Sequence, residues 1–329
     1  MRSGFVSIIG PPNAGKSTLL NALVGEKLAI VTPKPQTTRN RISGFVNLKR
    51  RGRRPAGQII FVDTPGIHKP IDALNQRMMQ EVHNALEGCD LLLLMLDATR
   101  KPGALPRSSI GGEAGDRGEP SQRVVGGRAG DPGERFAIEL ARRSKAKTFL
   151  LLNKIDLVEK GKLLPLIEHY SRLHDFAEIM PVSAAKRDGL ELLLDKVVES
   201  LPEGPRYFSP EQVTDQPERF VAAEFIREQV LLLTRQEIPY ASSVVIERFE
   251  ESPKLVKINA LIYVEREGQK AIVVGKQGSM LKEIGTRARK EIERLLNRKV
   301  FLELFVKVRS GWRDSSQFVD ELDWRKQLR

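Results

Sequence analysis

The sequence predicts two domains of different class. Residues 1–200 read as a doubly wound α/β domain with a mostly parallel sheet, and residues 218–329 as a smaller α+β domain, with a connector at 201–217. Three observations point there. The first 200 residues alternate short apolar runs with stretches of helical period, as strands covered by helices on both faces do. The first run ends in a glycine-rich loop that opens directly into a helical pattern. Beyond Pro202, Pro205, Pro210 and Pro217 the order changes to helix, two strands, two helices and a strand.

In the first domain, residues 5–9, 59–62, 90–96, 148–152 and 178–181 are predicted strands. Amphipathic helices are predicted at 17–23, 75–86, 134–144, 162–173 and 190–200. Residues 101–134 interrupt the alternation. They hold nine Gly and four Pro with five basic and five acidic residues and no apolar period, which predicts a flexible surface insertion. The basic cluster Lys49, Arg50, Arg51, Arg53 and Arg54 joins two predicted strands and reads as a solvated hairpin tip, with contact to nucleic acid as the alternative. In the second domain a helix is expected at 220–233, strands at 242–249 and 256–264, helices at 279–285 and 286–296, and a strand at 300–308.

Composition narrows the class. The chain carries 54 Lys and Arg against 42 Asp and Glu, for a formal net charge of +12, so its partner is expected to be anionic: nucleic acid or acidic lipid. Cys89 is the only cysteine, which excludes an internal disulfide and fits a reducing compartment. It opens an apolar run and is expected to be a buried core thiol. No run reaches the roughly 18 apolar residues of a membrane span, and the N-terminal apolar stretch is too short for a signal peptide. A cytoplasmic protein with at most peripheral membrane contact is expected.

The predicted strand at 5–9 runs into Gly10-Pro11-Pro12-Asn13-Ala14-Gly15-Lys16-Ser17 and then a helix containing Thr18. Glycines at these positions let the backbone curl so that its N–H groups point at phosphates, and the helix N-terminus adds partial positive charge. Lys16 is placed to reach the β- and γ-phosphates, and Ser17 to hold Mg²⁺. Asp63-Thr64-Pro65-Gly66 follows the next predicted strand. Asp63 suits Mg²⁺, and the Gly66 N–H suits the γ-phosphate. Asn153-Lys154-Ile155-Asp156 follows another strand end. Asp156 can accept hydrogen bonds from the guanine N1–H and exocyclic amine, a pattern that adenine does not offer. In Ser183-Ala184-Ala185-Lys186, an alanine N–H at 184 or 185 suits the guanine O6. Between the first two motifs lies a polar loop, 32–39, that needs a hydroxyl able to join Mg²⁺ when the γ-phosphate is present. Thr38 is the first choice and Thr37 the second. The groups expected to act in phosphoryl transfer are therefore Lys16, Thr38 and Gly66. Ile67 stands where a water-orienting glutamine might, and His68 follows as an exposed loop residue, so unassisted hydrolysis is expected to be slow.

Val274-Gly275-Lys276-Gln277-Gly278 precedes a basic helix containing Lys282 and Arg289. Its glycines would let a nucleic-acid backbone approach closely, and the cations would meet phosphate. Residues 254–329 hold 18 Lys and Arg against 10 Asp and Glu. In its α-β-β-α-α-β setting the GxxG resembles that of a type II KH domain, with Gly275, Lys276, Gln277, Gly278, Lys282 and Arg289 as the RNA-contacting set.

The strings GPPNAGKS, PQTTRNR, DTPGIHKP, NKID and SAAK, in that order, resemble the Era and TrmE group of translation-factor-related GTPases. TDQPERF, IREQ, ERFEE, LIYVEREGQKAIVVGKQG and LELFVKVRSGWRD extend the similarity to the Era family over nearly the whole chain, apart from 101–134. The resemblance implies GTP and GDP as ligands, Mg²⁺ as cofactor, and a K⁺ ion held near the phosphates with help from Asn13. Asn13 taken alone reads equally well as a structural cap of its loop. The resemblance further implies binding to the 3′ end of 16S rRNA, a role in maturation of the 30S subunit, a monomer, and peripheral association with the inner membrane. Two other readings stay open on the residues alone: an RNA-binding assembly protein with a slow nucleotide sensor, and a signalling protein docked on anionic lipid.

Overall fold

The computed structural model describes residues 1–67, 72–102, 132–234, 238–323 and 325. The first domain runs β1 (Arg2–Ile9), α1 (Lys16–Val24), β2 (Ile42–Leu48), β3 (Gly57–Asp63), α2 (Ala73–Glu87), β4 (Leu91–Asp97), α3 (Pro132–Arg143), β5 (Lys147–Asn153), α4 (Leu163–Ser171), β6 (Glu178–Val182) and α5 (Leu190–Ser200). These strands form a sheet of order β2-β3-β1-β4-β5-β6, parallel throughout except for β2, which pairs antiparallel with β3. β3 is buried along its length and β4 nearly so, which explains why they read as continuous apolar runs rather than alternating ones. The crossovers carry every connection after β1, β3, β4, β5 and β6 to the same edge of the sheet, where ligands of such folds bind.

Several expectations change in detail. α3 begins at Pro132, inside the stretch assigned to the insertion; residues 103–131 and His68 lie outside the described residues. The β2–β3 hairpin tip is only partly solvated. Lys49, Arg50 and Arg53 are exposed, but Arg51 pairs with Glu191 and Arg54 with Asp195 at 3.0 Å, tying the tip to α5. Cys89 is half-buried rather than a core thiol; its Sγ donates to Leu86 O at 3.3 Å, and burial pushes its pKa up.

The proline-rich connector is fastened to the edge strand β2. Phe45 N donates to Val213 O at 2.8 Å, and the Phe208 ring stacks on Phe45 with centroids 3.9 Å apart. Gln58 accepts from the N–H groups of Tyr207 and Phe208 and donates to Phe208 O at 2.9 Å. The connector thereby covers backbone groups that an edge strand would otherwise present to solvent.

The second domain runs α6 (Glu218–Leu233), α7 (Ile238–Ala241), β7 (Ser243–Glu251), β8 (Leu255–Val264), α8 (Glu267–Val274), α9 (Ser279–Leu296), β9 (Lys299–Val308) and α10 (Ser316–Glu321). Its sheet has the order β7-β8-β9, with β8 and β9 parallel. The helices expected at 279–285 and 286–296 are one helix, α9. Gly285 suggested a break, but it is a packing position: a Cβ there would lie 3.4 Å from Leu304 Cδ1. The other helix of the pair is α8, before the GxxG. Gly268 and the β-branched Val273-Val274 end disguised it.

The domains share a core. One apolar cluster runs from β1 and α1 through Leu28, Ala29 and Ile30 into Phe225 and Ile226 of α6 and on to the second sheet. A smaller cluster joins Leu74 and Met78 of α2 to Trp312, Phe318 and Val319 near the C-terminus.

Candidate functional site

The loop between β1 and α1 is shaped by glycines that nothing else could replace. Gly10 has φ 155°, and a Cβ on it would lie 2.2 Å from Met95 O. Gly15 has φ 104°, and its Cβ would lie 2.2 Å from Asn153 Nδ2. Gly15 caps α1 without a side-chain acceptor, so the first-turn N–H groups of α1 face the cleft for an anion to bind. Lys16 folds back over the loop, donating from Nζ to Gly10 O at 3.0 Å and Pro11 O at 3.1 Å. Burial lowers its pKa to about 8, against the raising pull of Asp63.

Asp63 ends β3 beside this lysine. Ser17 Oγ donates to Asp63 Oδ2 at 2.6 Å, lies 2.8 Å from Thr38 Oγ1, and Thr38 Oγ1 is 3.5 Å from the same carboxylate. Burial raises the Asp63 pKa to about 6, opposed by Lys16 and by the Ser17, Thr38 and Thr64 hydrogen bonds. Asp63 Oδ1 is buried with no hydrogen-bond partner among the described residues. Two hydroxyls and a carboxylate with an unused buried oxygen are a hard-oxygen set that fits Mg²⁺. Thr37 is turned away, its Oγ1 bonded to Lys34 O at 2.6 Å and to Thr32 Oγ1 at 2.7 Å.

Gly66 packs against Pro12 so closely that a Cβ would lie 2.9 Å from Pro12 Cα. Ile67 is fully buried in the core, and its N–H donates to Gly10 O at 3.1 Å. Thr64 spends its hydroxyl on Ile8 O at 2.8 Å, and Pro65 is buried; neither lines the cleft. Asn13 is exposed, has φ 63°, and donates from Nδ2 to Pro33 O at 3.0 Å, linking the phosphate loop to the 32–39 loop.

At the other end Asn153 braces two loops at once. Its Nδ2 donates to Ala14 O at 2.8 Å, and its Oδ1 accepts from Ala184 N at 3.0 Å. Lys154, at φ 68°, reaches Asp97 Oδ2 at 2.6 Å. Burial would raise the Asp97 pKa, but the Lys154 and Thr99 hydrogen bonds outweigh it and hold the carboxyl below its usual value. Asp156 is exposed and oriented by Ser183 Oγ, which donates to its Oδ1 at 2.6 Å; Ala185 is exposed beside it. A cleft of about 530 Å³ is lined by Asn13, Gly15, Lys16, Ser17, Thr18, Thr38, Gly66 and Lys154 among others, whereas Asp63, Asp156, Ser183, Ala184 and Ala185 do not line it. The stretch Ile30–Lys34 and Arg100 also line it. Of these, Thr32 to Lys34 belong to the polar loop singled out in the sequence, whereas Ile30, Val31 and Arg100 carry no motif that marks them.

A second groove, about 440 Å³, lies between α9 and β9. Gly278, Lys282 and Arg289 line it, as expected, together with Leu281, Gly285, Thr286, Leu302 and Leu304. Lys276 and Gln277 are exposed in the turn that opens it. Gly275 sits at φ 72°, where a Cβ would lie 2.6 Å from Met280 Cβ; Gly278 sits at φ 77° with nothing within 4 Å of a built Cβ. Leu302 and Leu304 could be read as core positions of a strand. Only the open α9–β9 edge makes them a groove wall.

Residues 5–120 match the family described as 50S ribosome-binding GTPase, and residues 237–313 match the KH domain family. GTPase Era of Syntrophus aciditrophicus is 46% identical over 327 residues, 99% of this chain and 96% of the relative. GTPase Era of Geobacter metallireducens is 46% identical over 325 residues, 98% of each chain. Two crystal structures superpose with a TM-score of 0.84 at 36% identity, covering 98% of this chain and 99% of the other. One is an Aquifex aeolicus Era variant bound to GDP·AlF4⁻, and the other an Era in complex with MgGDPNP and nucleotides 1506–1542 of 16S ribosomal RNA. With a GTPase domain, a KH domain and this similarity along nearly its full length, the chain belongs to the Era family of GTPases.

Proposed function

We propose that the chain is a GTP-hydrolysing switch that binds the 3′ end of 16S rRNA and acts in maturation of the 30S subunit. The observation that carries the nucleotide half is the meeting of Ser17, Thr38 and Asp63 within hydrogen-bonding distance beside Lys16. In this reading Ser17, Thr38 and Asp63 hold Mg²⁺, which neutralises charge on the β- and γ-phosphates when it is bound. Lys16 and the N–H groups of Gly15 to Thr18 take the phosphate oxygens, and the Gly66 N–H meets the γ-phosphate. Asp156 reads the guanine N1–H and amine, while Ala184 or Ala185 donates to O6. Ile67, where a water-orienting glutamine might stand, turns its side chain into the core, so turnover is slow until a cation or partner assists. Asn13 has its amide oxygen to offer a K⁺ ion, since its nitrogen is bonded to Pro33 O.

The RNA half rests on the basic α9–β9 groove and its GxxG turn. The GTPase family description names the 50S subunit, whereas the solved Era complex contains 16S rRNA. The groove belongs to the KH domain, the part of the chain that the broader GTPase family does not share, so we favour 16S rRNA. The chain is taken as a cytoplasmic monomer whose inner-membrane contact is peripheral; no described helix is long and apolar enough to cross a membrane. Gly278→Asp tests the assignment. The position is open, so a side chain there meets no neighbour, but at φ 77° any side chain strains the turn. Gly278→Asn carries the same strain without the charge and serves as the control, while the carboxylate of Gly278→Asp repels phosphate at the closest approach. Loss of binding to a 16S 3′-end RNA in a gel shift, with GTP binding intact, is expected. Unchanged RNA affinity in a folded variant contradicts it. Gly275→Asp is the poorer probe, because the new side chain collides with Met280.

A further inference from the structure

The loop that carries Thr38 is held from the other domain. Val31 N donates to Glu228 Oε1 at 3.0 Å, and Lys27 Nζ reaches Glu228 Oε2 at 2.6 Å. Lys34 donates to Thr234 O. Arg39 donates to Ser242 O at 2.7 Å and Tyr240 O at 3.2 Å, with its guanidinium 5.6 Å from the Trp312 ring centroid. Closest to the metal site, Arg227 Nη2 on α6 donates to the Thr37 carbonyl, one peptide away from Thr38.

Arg227 is preset for that bond. Its Nε and Nη2 form a side-on fork with Glu224, at 2.8 Å to Oε1 and 2.6 Å to Oε2. Both residues are buried, at 2% and 7% exposure. A buried ion pair gives little net stability relative to apolar residues of the same shape, because desolvation offsets the attraction. Here, however, the fork fixes the guanidinium plane, so that a remaining N–H direction meets Thr37 O without further loss of freedom.

We infer that Arg227 is a positioning residue for GTP: it holds the Thr37 carbonyl and thereby keeps the Thr38 hydroxyl beside Ser17 and Asp63. The inference rests on the GTPase reading above and adds that the second domain completes the γ-phosphate side of the cleft. In the functional reading above, Thr38 joins the metal when the γ-phosphate is present, so Arg227 favours GTP over GDP. By linkage, GTP favours α6 in this docked position. α6 packs on α9, which carries the GxxG turn, and Lys27 also reaches Glu291 of α9 at 3.4 Å. Thr38, Thr37, Arg227, α6 and α9 thus connect the nucleotide to the RNA groove.

Two variants test this in the full-length chain. Arg227→Lys keeps a cation for Glu224 but lacks the fork that serves Glu224 and Thr37 together. The double variant Glu224→Gln with Arg227→Met leaves no uncompensated charge in the interior. For both, affinity for a non-hydrolysable GTP analogue in Mg²⁺ should fall about tenfold, the loss of one hydrogen bond to a charged group. The affinity for GDP should change much less, because the GDP complex does not need Thr38 at the metal. Equal weakening of the analogue and GDP in both variants, as a merely structural pair predicts, would overturn the inference, as would no change in either. A wild-type protein that fails to bind the analogue would instead remove the functional reading beneath it.

Discussion

The two ends of the nucleotide cleft are built differently. At the base end every support comes from the same domain: Asn153 ties the phosphate loop to Ala184, Ser183 aims Asp156, and Asp97 holds Lys154. At the phosphate end the 30–39 loop is supported largely by α6, α7 and the segment around Trp312. In the proposed reading, base recognition can therefore be constant while the γ-phosphate side responds to the position of another domain. A switch needs that asymmetry. Affinity for guanine should not vary with state, whereas the loop that detects the third phosphate must have a second arrangement available.

The largest expected effect is on the phosphate-end support. Trp312 is fully buried, donates from Nε1 to Ala241 O at 2.9 Å, and lies under Arg39. Trp312→Ala should cost about 3–5 kcal/mol of unfolding free energy, the usual loss for a buried aromatic. Denaturant unfolding measures it, and a change within error would show that the shared core near α2 does not hold the domains together. The base end is tested by Asp156→Asn. An acceptor becomes a donor, so GTP affinity should fall by about 1–3 kcal/mol, roughly ten- to a hundredfold, with preference moving to xanthosine triphosphate. The effect should be the same with and without RNA. An RNA-dependent loss would break the claim that the base end is self-contained. The smallest effect is expected from the monovalent cation. Replacing K⁺ by Na⁺ at constant ionic strength should slow hydrolysis in the wild type and leave Asn13→Ala unaffected. Equal wild-type rates in both salts would remove the K⁺ role and leave the Mg²⁺ set intact.

The same asymmetry explains what could be read from sequence. The base end and phosphate loop are short strings between a strand and a helix, and backbone geometry alone dictates their residues: Gly10 and Gly15 have no room for a side chain, and Asp156 must present a carboxylate. The α/β class was legible because β3 and β4 are apolar on both faces; the strand order, which depends on how the crossovers pack, was not. The support from α6 was not. Arg227 and Thr37 are 190 residues apart, and their contact depends on how two domains pack. The one trace is a helix, α6, in which Glu224, Arg227, Glu228 and Gln229 are all buried among apolar residues. α8 was missed and α9 split for a related reason. Gly268 and Gly285 read locally as breaks, and only packing against Leu304 shows why Gly285 sits within a helix. Thr64 belongs to the Asp63–Gly66 motif, and what the motif does not reveal is that its hydroxyl braces β1.

The central claim is that nucleotide state at one domain is felt at the RNA groove of the other. The direct measurement is the affinity of the full chain for a single-stranded RNA matching the 3′ end of 16S rRNA, in Mg²⁺, with GDP and then with a non-hydrolysable GTP analogue. A coupled switch predicts affinities that differ by about fivefold or more, the lower range of coupling between linked sites. Identical affinities in the two states, with both nucleotides shown to be bound, would contradict it.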